Sequence, residues 1–136
     1  MRAACDATGM EVDHTAVRVS DLEATKAFYE DGLGLEFHQE FHTDDGIHNY
    51  YVTGDELETS IQFAHDPDGD EEIEPSGIVH LAILVDDLDE TLERLTERTG
   101  CEVLRGPITV DAVDARAAFV EDPDGYEVEI YANRDE

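Results

Sequence analysis

The sequence predicts an α+β fold built from two βαβββ modules. Three observations lead there: an ungapped internal repeat, an apolar strand carrying a histidine at the start of each copy, and turn signals that cut the rest of each copy into three short strands. Residues 12–37 lie over residues 78–103, so that His14 falls on His80, Val19 on Val85, Asp21 on Asp87, Leu22 on Leu88, Thr25 on Thr91, Gly34 on Gly100 and Glu36 on Glu102. A repeat of this length is longer than a solenoid period and implies two pseudo-symmetric modules in one domain.

The elements follow in order. Residues 12–19 alternate as a strand, and Ser20 with Glu23 reads as a capping box opening a helix to about residue 31, ended by Gly32 and Gly34. Strands at 35–43, 47–53 and 57–65 are separated by "DDG" and "TGD". The second module gives a strand at 78–85, a helix at 87–99 with Leu88, Leu92 and Leu95 on one face, and strands near 101–105, 114–121 and 126–132. Module one therefore covers 11–65 and module two 78–132 of a single domain, joined by an acidic linker at 66–77, with a flexible leader at 1–10 and a tail at 133–136.

Composition narrows the function classes. The chain has 136 residues, 40% of them hydrophobic, enough for a real core. It carries 36 acidic against 8 basic residues, Lys26 being the sole lysine, and a net charge of −28. Such a surface repels phosphate backbones and anionic membranes, so neither nucleic acid nor a membrane is an expected partner. The acids are interleaved with periodic apolar residues, as on the outside of a folded core in high salt, where cations screen self-repulsion. Acidity with almost no lysine resembles haloarchaeal cytosolic proteins. Two cysteines, Cys5 and Cys101, make no disulfide framework, and no apolar run is long enough for a signal peptide or membrane span. The expected location is the cytoplasm.

The chemistry lies in the paired strands. Residues two apart in a strand share a face, so His14 points with Ala16 and Arg18, and His80 with Ala82 and Leu84. In the last strand of each module, "SIQFA" over "EVEIY" matches Gln62 to Glu129, each flanked by apolar residues directed to the opposite face. Duplication thus yields His14, Gln62, His80 and Glu129 at two equivalent pairs of positions. Two imidazoles, an amide oxygen and a carboxylate suit one divalent ion (Ni, Zn, Co, Mn or Fe) and lack the thiolates of a structural zinc site. A lone strand histidine is more often a hydrogen-bonded structural residue; the duplicated placement favours the metal.

At these residues the chain resembles the vicinal oxygen chelate superfamily and, within it, the glyoxalase I (lactoylglutathione lyase) family. "HTAVRVSDLEATKAFYEDGLGLEF", "GIVHLAILVDDLDET" and "AFVEDPDGYEVEI" carry the likeness, from about residue 11 to 132. The resemblance implies modules curling into a half-barrel cleft, a homodimer whose sites may draw on both chains, and a metal held by His14, Gln62, His80 and Glu129. It implies a lyase acting on a 2-oxoaldehyde–thiol adduct, moving a proton through an enediolate while the ion acts as Lewis acid. Gln62 departs from the glutamate usual there and accepts no proton, which leaves Glu129 as the base. Arg18 sits where the family has an arginine and would meet an anionic group of the substrate; its alternative role is an ion pair. "GPITVDAVDARAAF" offers only Arg116 among basic residues, and Asp66 replaces a usual asparagine, so glutathione itself is a poor fit.

Other readings remain open. Methylmalonyl-CoA epimerase uses His, Gln, His and Glu, and Asp44 or Asp45 would then supply a second base. His14, His80 and Glu129 alone would form an iron triad for extradiol dioxygenation. A metal-free protein that binds drugs such as bleomycin shares the fold. His38, His42, His48 and His65 read as solvated, with His48 able to line the cleft, and the "DPDG" at 122–125 reads as a hairpin turn.

Overall fold

The computed structural model describes residues 12–55, 59–69 and 72–134; the expected leader lies outside them, as does Cys5. The elements run β1 (His14–Val19), α1 (Leu22–Lys26) continued by a π-helical turn (Ala27–Gly32), β2 (Glu36–His42), β3 (His48–Thr53) and β4 (Ser60–His65). The second half repeats them as β5 (Leu81–Leu84), α2 (Leu88–Thr99), β6 (Val103–Val110), a short 3-10 turn (Asp111–Val113), β7 (Ala115–Glu121) and β8 (Glu127–Asn133). Two four-stranded sheets result, ordered β1-β4-β3-β2 and β5-β8-β7-β6. In each, the first and last strands pair in parallel and the others antiparallel. This is the βαβββ duplication the repeat predicts.

Both helices are capped by an aspartate. Asp21 accepts the Ala24 amide at 3.1 Å and Asp87 accepts the Glu90 amide at 3.0 Å. The Ser20–Glu23 capping box does not form. Ser20 is drawn away by Asp124 of the other module, which takes its amide at 3.1 Å and its hydroxyl, and Glu23 lies 3.4 Å from the Lys26 ammonium. Gly32 closes the first helical stretch for a packing reason: a Cβ there would stand 2.5 Å from Leu95 Cδ1.

β6 is longer than the 101–105 strand expected, because bulges between Val103 and Arg105 and between Arg105 and Ile108 let an edge strand absorb Pro107. Residues 106–110, which lie between the strands expected, are thus strand.

One core joins both modules. Val17, Val19 and Phe63 from the first sheet and Val120, Val128 and Ile130 from the second pack with Phe28, Leu88 and Leu95 of the helical stretches. Each such side chain contributes about 1.5–3 kcal/mol through burial. Strand parity then sends the alternate residues to the face of each sheet turned away from the helices, here called its open face. His48 shares the parity of Tyr50 and Val52, both core residues, so it lies on the helix-covered face and does not line the open one. Its ring stacks on His42 at 4.1 Å between centroids and meets Glu40 at 2.6 Å.

Candidate metal centre

Each open face carries one half of the predicted ligand set. On the first sheet His14 pairs in register with Ser60 and Ala16 with Gln62, which sets His14 and Gln62 diagonally across the parallel β1–β4 pair. On the second sheet Ala82 pairs with Glu129, which sets His80 and Glu129 in the same diagonal relation. There the two side chains touch, His80 Nε2 lying 3.0 Å from Glu129 Oε1. All four are partly open to solvent.

The third strand of each module adds an aromatic ring beside the histidine. Tyr51, register partner of Gln62, meets His14 edge-on at 5.4 Å. Phe119, register partner of Glu129, meets His80 at 5.6 Å and 65°. The second strands then differ: Gln39 stands opposite Tyr51, whereas Arg105 stands opposite Phe119. The Arg105 guanidinium covers the Phe119 ring at 4.1 Å and pairs with Glu127 at 2.6 Å.

Gln62 has its own support. Its Nε2 donates to Oδ1 of Asn49 at 2.7 Å, and Asn49, 5% exposed, donates from Nδ2 to the Ile47 carbonyl at 3.4 Å. Arg18 shares the open face with His14, lines a cleft with Ser20 and Asp66, and accepts the Tyr126 hydroxyl on its carbonyl at 2.9 Å. Asp45 is held by the Thr43 hydroxyl within its own exposed turn, next to Asp44.

Within one chain the quartet stands as two pairs. Among the described residues no three His, Cys, Asp or Glu side chains gather closely enough to hold one ion. The modules meet on their helix sides instead. Arg94 donates to the carbonyls of Gly32 and Leu33 at 3.0 and 3.2 Å. The 122–125 turn also crosses between modules: Tyr29 donates to Asp122 at 2.7 Å, and Ser20 to Asp124. Burial raises the Asp122 pKa above its ordinary value, partly offset by the Tyr29 hydrogen bond, and burial beside Asp122 pushes the Tyr29 phenol well up.

The sequence profile of the Glyoxalase/Bleomycin resistance protein/Dioxygenase superfamily matches residues 11–130. The chain belongs to this superfamily. As a member it is 31% identical over 120 residues to a probable lactoylglutathione lyase of Synechocystis, covering 86% of this chain and 91% of the relative. It is 32% identical over 123 residues to a lactoylglutathione lyase of Neisseria meningitidis, with 88% of each covered. Among solved structures it resembles an antibiotic-binding protein from Streptomyces, TnmS3, with a TM-score of 0.73, 27% identity, and 91% and 96% of the two chains covered. Glyoxalase I from Zea mays shares the fold at a TM-score of 0.77 and 24% identity, over 89% of this chain and 44% of that one.

Sequence reasoning missed Asn49, Phe119, Arg105 and the Asp122–Asp124 clamp. Phe119 and Arg105 were within reach, since laying Phe119 and Glu129 beside Tyr51 and Gln62 puts β6 over β2. The clamp was not, because "DPDG" occurs twice in the sequence and only one copy, 122–125, crosses between modules.

Proposed function

We propose that the chain is a metal-dependent lyase of the glyoxalase type, acting on the adduct of a 2-oxoaldehyde and a thiol in a high-salt cytoplasm. The observation that carries this reading is the contact of His80 with Glu129 on one open face, with His14 and Gln62 in the matching places on the other. The donor chemistry fits one divalent ion of the Ni, Zn, Co, Mn or Fe type. His14 and Gln62 of one chain and His80 and Glu129 of the partner subunit would hold it, which makes the working unit a homodimer. The ion, when bound, supplies Lewis acidity toward the substrate oxygens.

The remaining chemistry falls to the protein. Glu129 accepts the proton from the carbon beside the carbonyl and returns it to the neighbouring carbon. Gln62 cannot titrate, so one carboxylate does both steps and the proton leaves and returns on one side of the substrate. Arg18 and Arg105 give the open faces positive charge where an anionic substrate group is to be bound. Phe119 and Tyr51 set aromatic rings beside His80 and His14, which stay partly open to solvent.

Epimerisation would need a second base on the far side, and the attachment of Asp45 to its own turn weighs against it. The likeness to an antibiotic-binding protein favours one further reading, metal-free capture of a small molecule. Metal uptake separates the two. The protein, purified in molar salt and stripped of ions, is titrated with Ni(II) and Co(II) and assayed with hemithioacetals of several thiols. About one ion per chain and metal-dependent turnover are expected; a protein that takes up no divalent ion ends the lyase reading.

A further inference from the structure

We infer that Asn49 is a positioning residue that fixes which end of the Gln62 amide faces the ion, an inference resting on the ligand set proposed above. An amide side chain offers an oxygen at one end and an NH2 group at the other, and only the oxygen can ligate a cation. A glutamine ligand freed from its support spends part of its time the wrong way round. A glutamate at the same place has no such problem, since both ends are oxygen.

The orientation follows from a main-chain group whose polarity is fixed. The Ile47 carbonyl can only accept, so the Asn49 atom 3.4 Å from it is Nδ2. The other end of Asn49 is then Oδ1, which can only accept, so the Gln62 atom 2.7 Å away is Nε2. Gln62 Oε1 is left as the end not engaged by Asn49, and so as the end offered to the ion. Turning Gln62 over would set two oxygens against each other. Turning both amides over would set Asn49 Oδ1 against the Ile47 carbonyl. Asn49 is 5% exposed, so water does not rescue either arrangement. The chain Ile47 carbonyl, Asn49, Gln62 is thus a polarity relay from the backbone to the ligand.

The test is a double-mutant cycle read by calorimetric Co(II) affinity on the intact protein in molar salt, with thermal unfolding as a folding check. Asn49→Leu is expected to weaken Co(II) binding about tenfold, the scale of lost support behind a metal ligand. In a Gln62→Glu background the same change is expected to cost less than about twofold, since a carboxylate has no wrong end. Asn49→Asp keeps an accepting oxygen toward Nε2 but sets its other oxygen against the Ile47 carbonyl, so it is expected to lower stability while keeping Co(II) affinity within about twofold of the parent. Asn49→Ser, too short to reach Gln62, takes the place of the leucine if that chain does not fold. Equal losses in the Gln62 and Gln62→Glu backgrounds, or a loss with Asn49→Asp as large as with leucine, would overturn the inference while leaving the metal-site reading intact. A parent protein that takes up no Co(II) would overturn both.

Discussion

The two open faces have the same backbone plan and differ in charge at the place of the second ligand. In module one that place holds Gln62, supported by the neutral Asn49, Tyr51 and Gln39 through hydrogen bonds and register, with Arg18 and the Asp13–His14 contact of 2.8 Å on the same face. In module two the matching places hold Glu129, Phe119 and Arg105, with Glu127 beside them, a set fixed by the Arg105–Glu127 ion pair and the His80–Glu129 contact. Duplication supplied two equivalent places, and divergence put an amide in one and a carboxylate in the other. On the reading proposed above, the Gln62 half would bind the ion, and the charged Glu129 half would bind it and also move the proton.

The sharpest way to break this comparison is to exchange the two ligands. Glu129→Gln removes the proposed proton acceptor and is expected to lower turnover of a hemithioacetal about 10³-fold, within the usual range for a lost general base. Gln62→Glu, at the equivalent place, is expected to keep turnover within about tenfold of the parent, since the base of the charged half remains. Similar losses from both would show that the halves share the proton transfer.

The helices give a second contrast. Gly32 sits where a Cβ would meet Leu95, whereas its repeat partner Arg98 reaches outward to the Asp31 carbonyl. Gly32→Ala is expected to lower stability by about 1–3 kcal/mol through overpacking. Arg98→Ala should cost no more than about 0.5 kcal/mol, as an exposed substitution does. Denaturant titration in constant salt measures both.

Arg105 and Gln39 occupy equivalent places with different charge. Arg105→Gln is expected to raise KM for an anionic adduct about tenfold with kcat nearly unchanged, as loss of one charge-assisted contact does. Gln39→Ala should change KM less than about twofold. A fall in kcat with constant KM for Arg105→Gln would move that residue from substrate binding to support of His80.

The smallest effect concerns the two "DPDG" turns. Burial raises the folded-state pKa of Asp122 above its unfolded value. Its titration therefore contributes stability that is fully present below the unfolded pKa, near 4, and lost as pH rises through the folded value. The stability difference between the parent and Asp122→Asn should shift against the parent as pH rises from about 4 toward neutrality. Asp66→Asn, in the turn whose aspartate caps the Asp68 amide at 3.0 Å, serves as the control. A flat difference for Asp122→Asn would show that the three donors reaching its carboxylate, from Tyr29, Asp124 and Tyr126, balance the burial, and a reversed one that they outweigh it.

Much of this was legible before any coordinates. The offset of His14 from His80 revealed the duplication, strand parity set the ligand candidates on faces opposite the core, and the second helix ends at Thr99 as the expected 87–99 span has it, closed by Gly100 at a left-handed φ of +69°. Ser20 misled because a capping box is a local pattern, and the serine was taken by Asp124, more than a hundred residues away in sequence. β6 runs past the expected residue 105 because an edge strand needs no donor at Pro107.

The sequence by itself determined what repeats: element order, face alternation and residue chemistry, all properties of neighbours along a chain and therefore written in its periodicity. Only the tertiary structure decided which aspartate pair clamps the modules, which end of Gln62 meets Asn49, and that His14 and Gln62 stand apart from His80 and Glu129 within one chain. Those outcomes depend on contacts between residues far apart in sequence, where identical letters such as the two "DPDG" turns meet different surroundings.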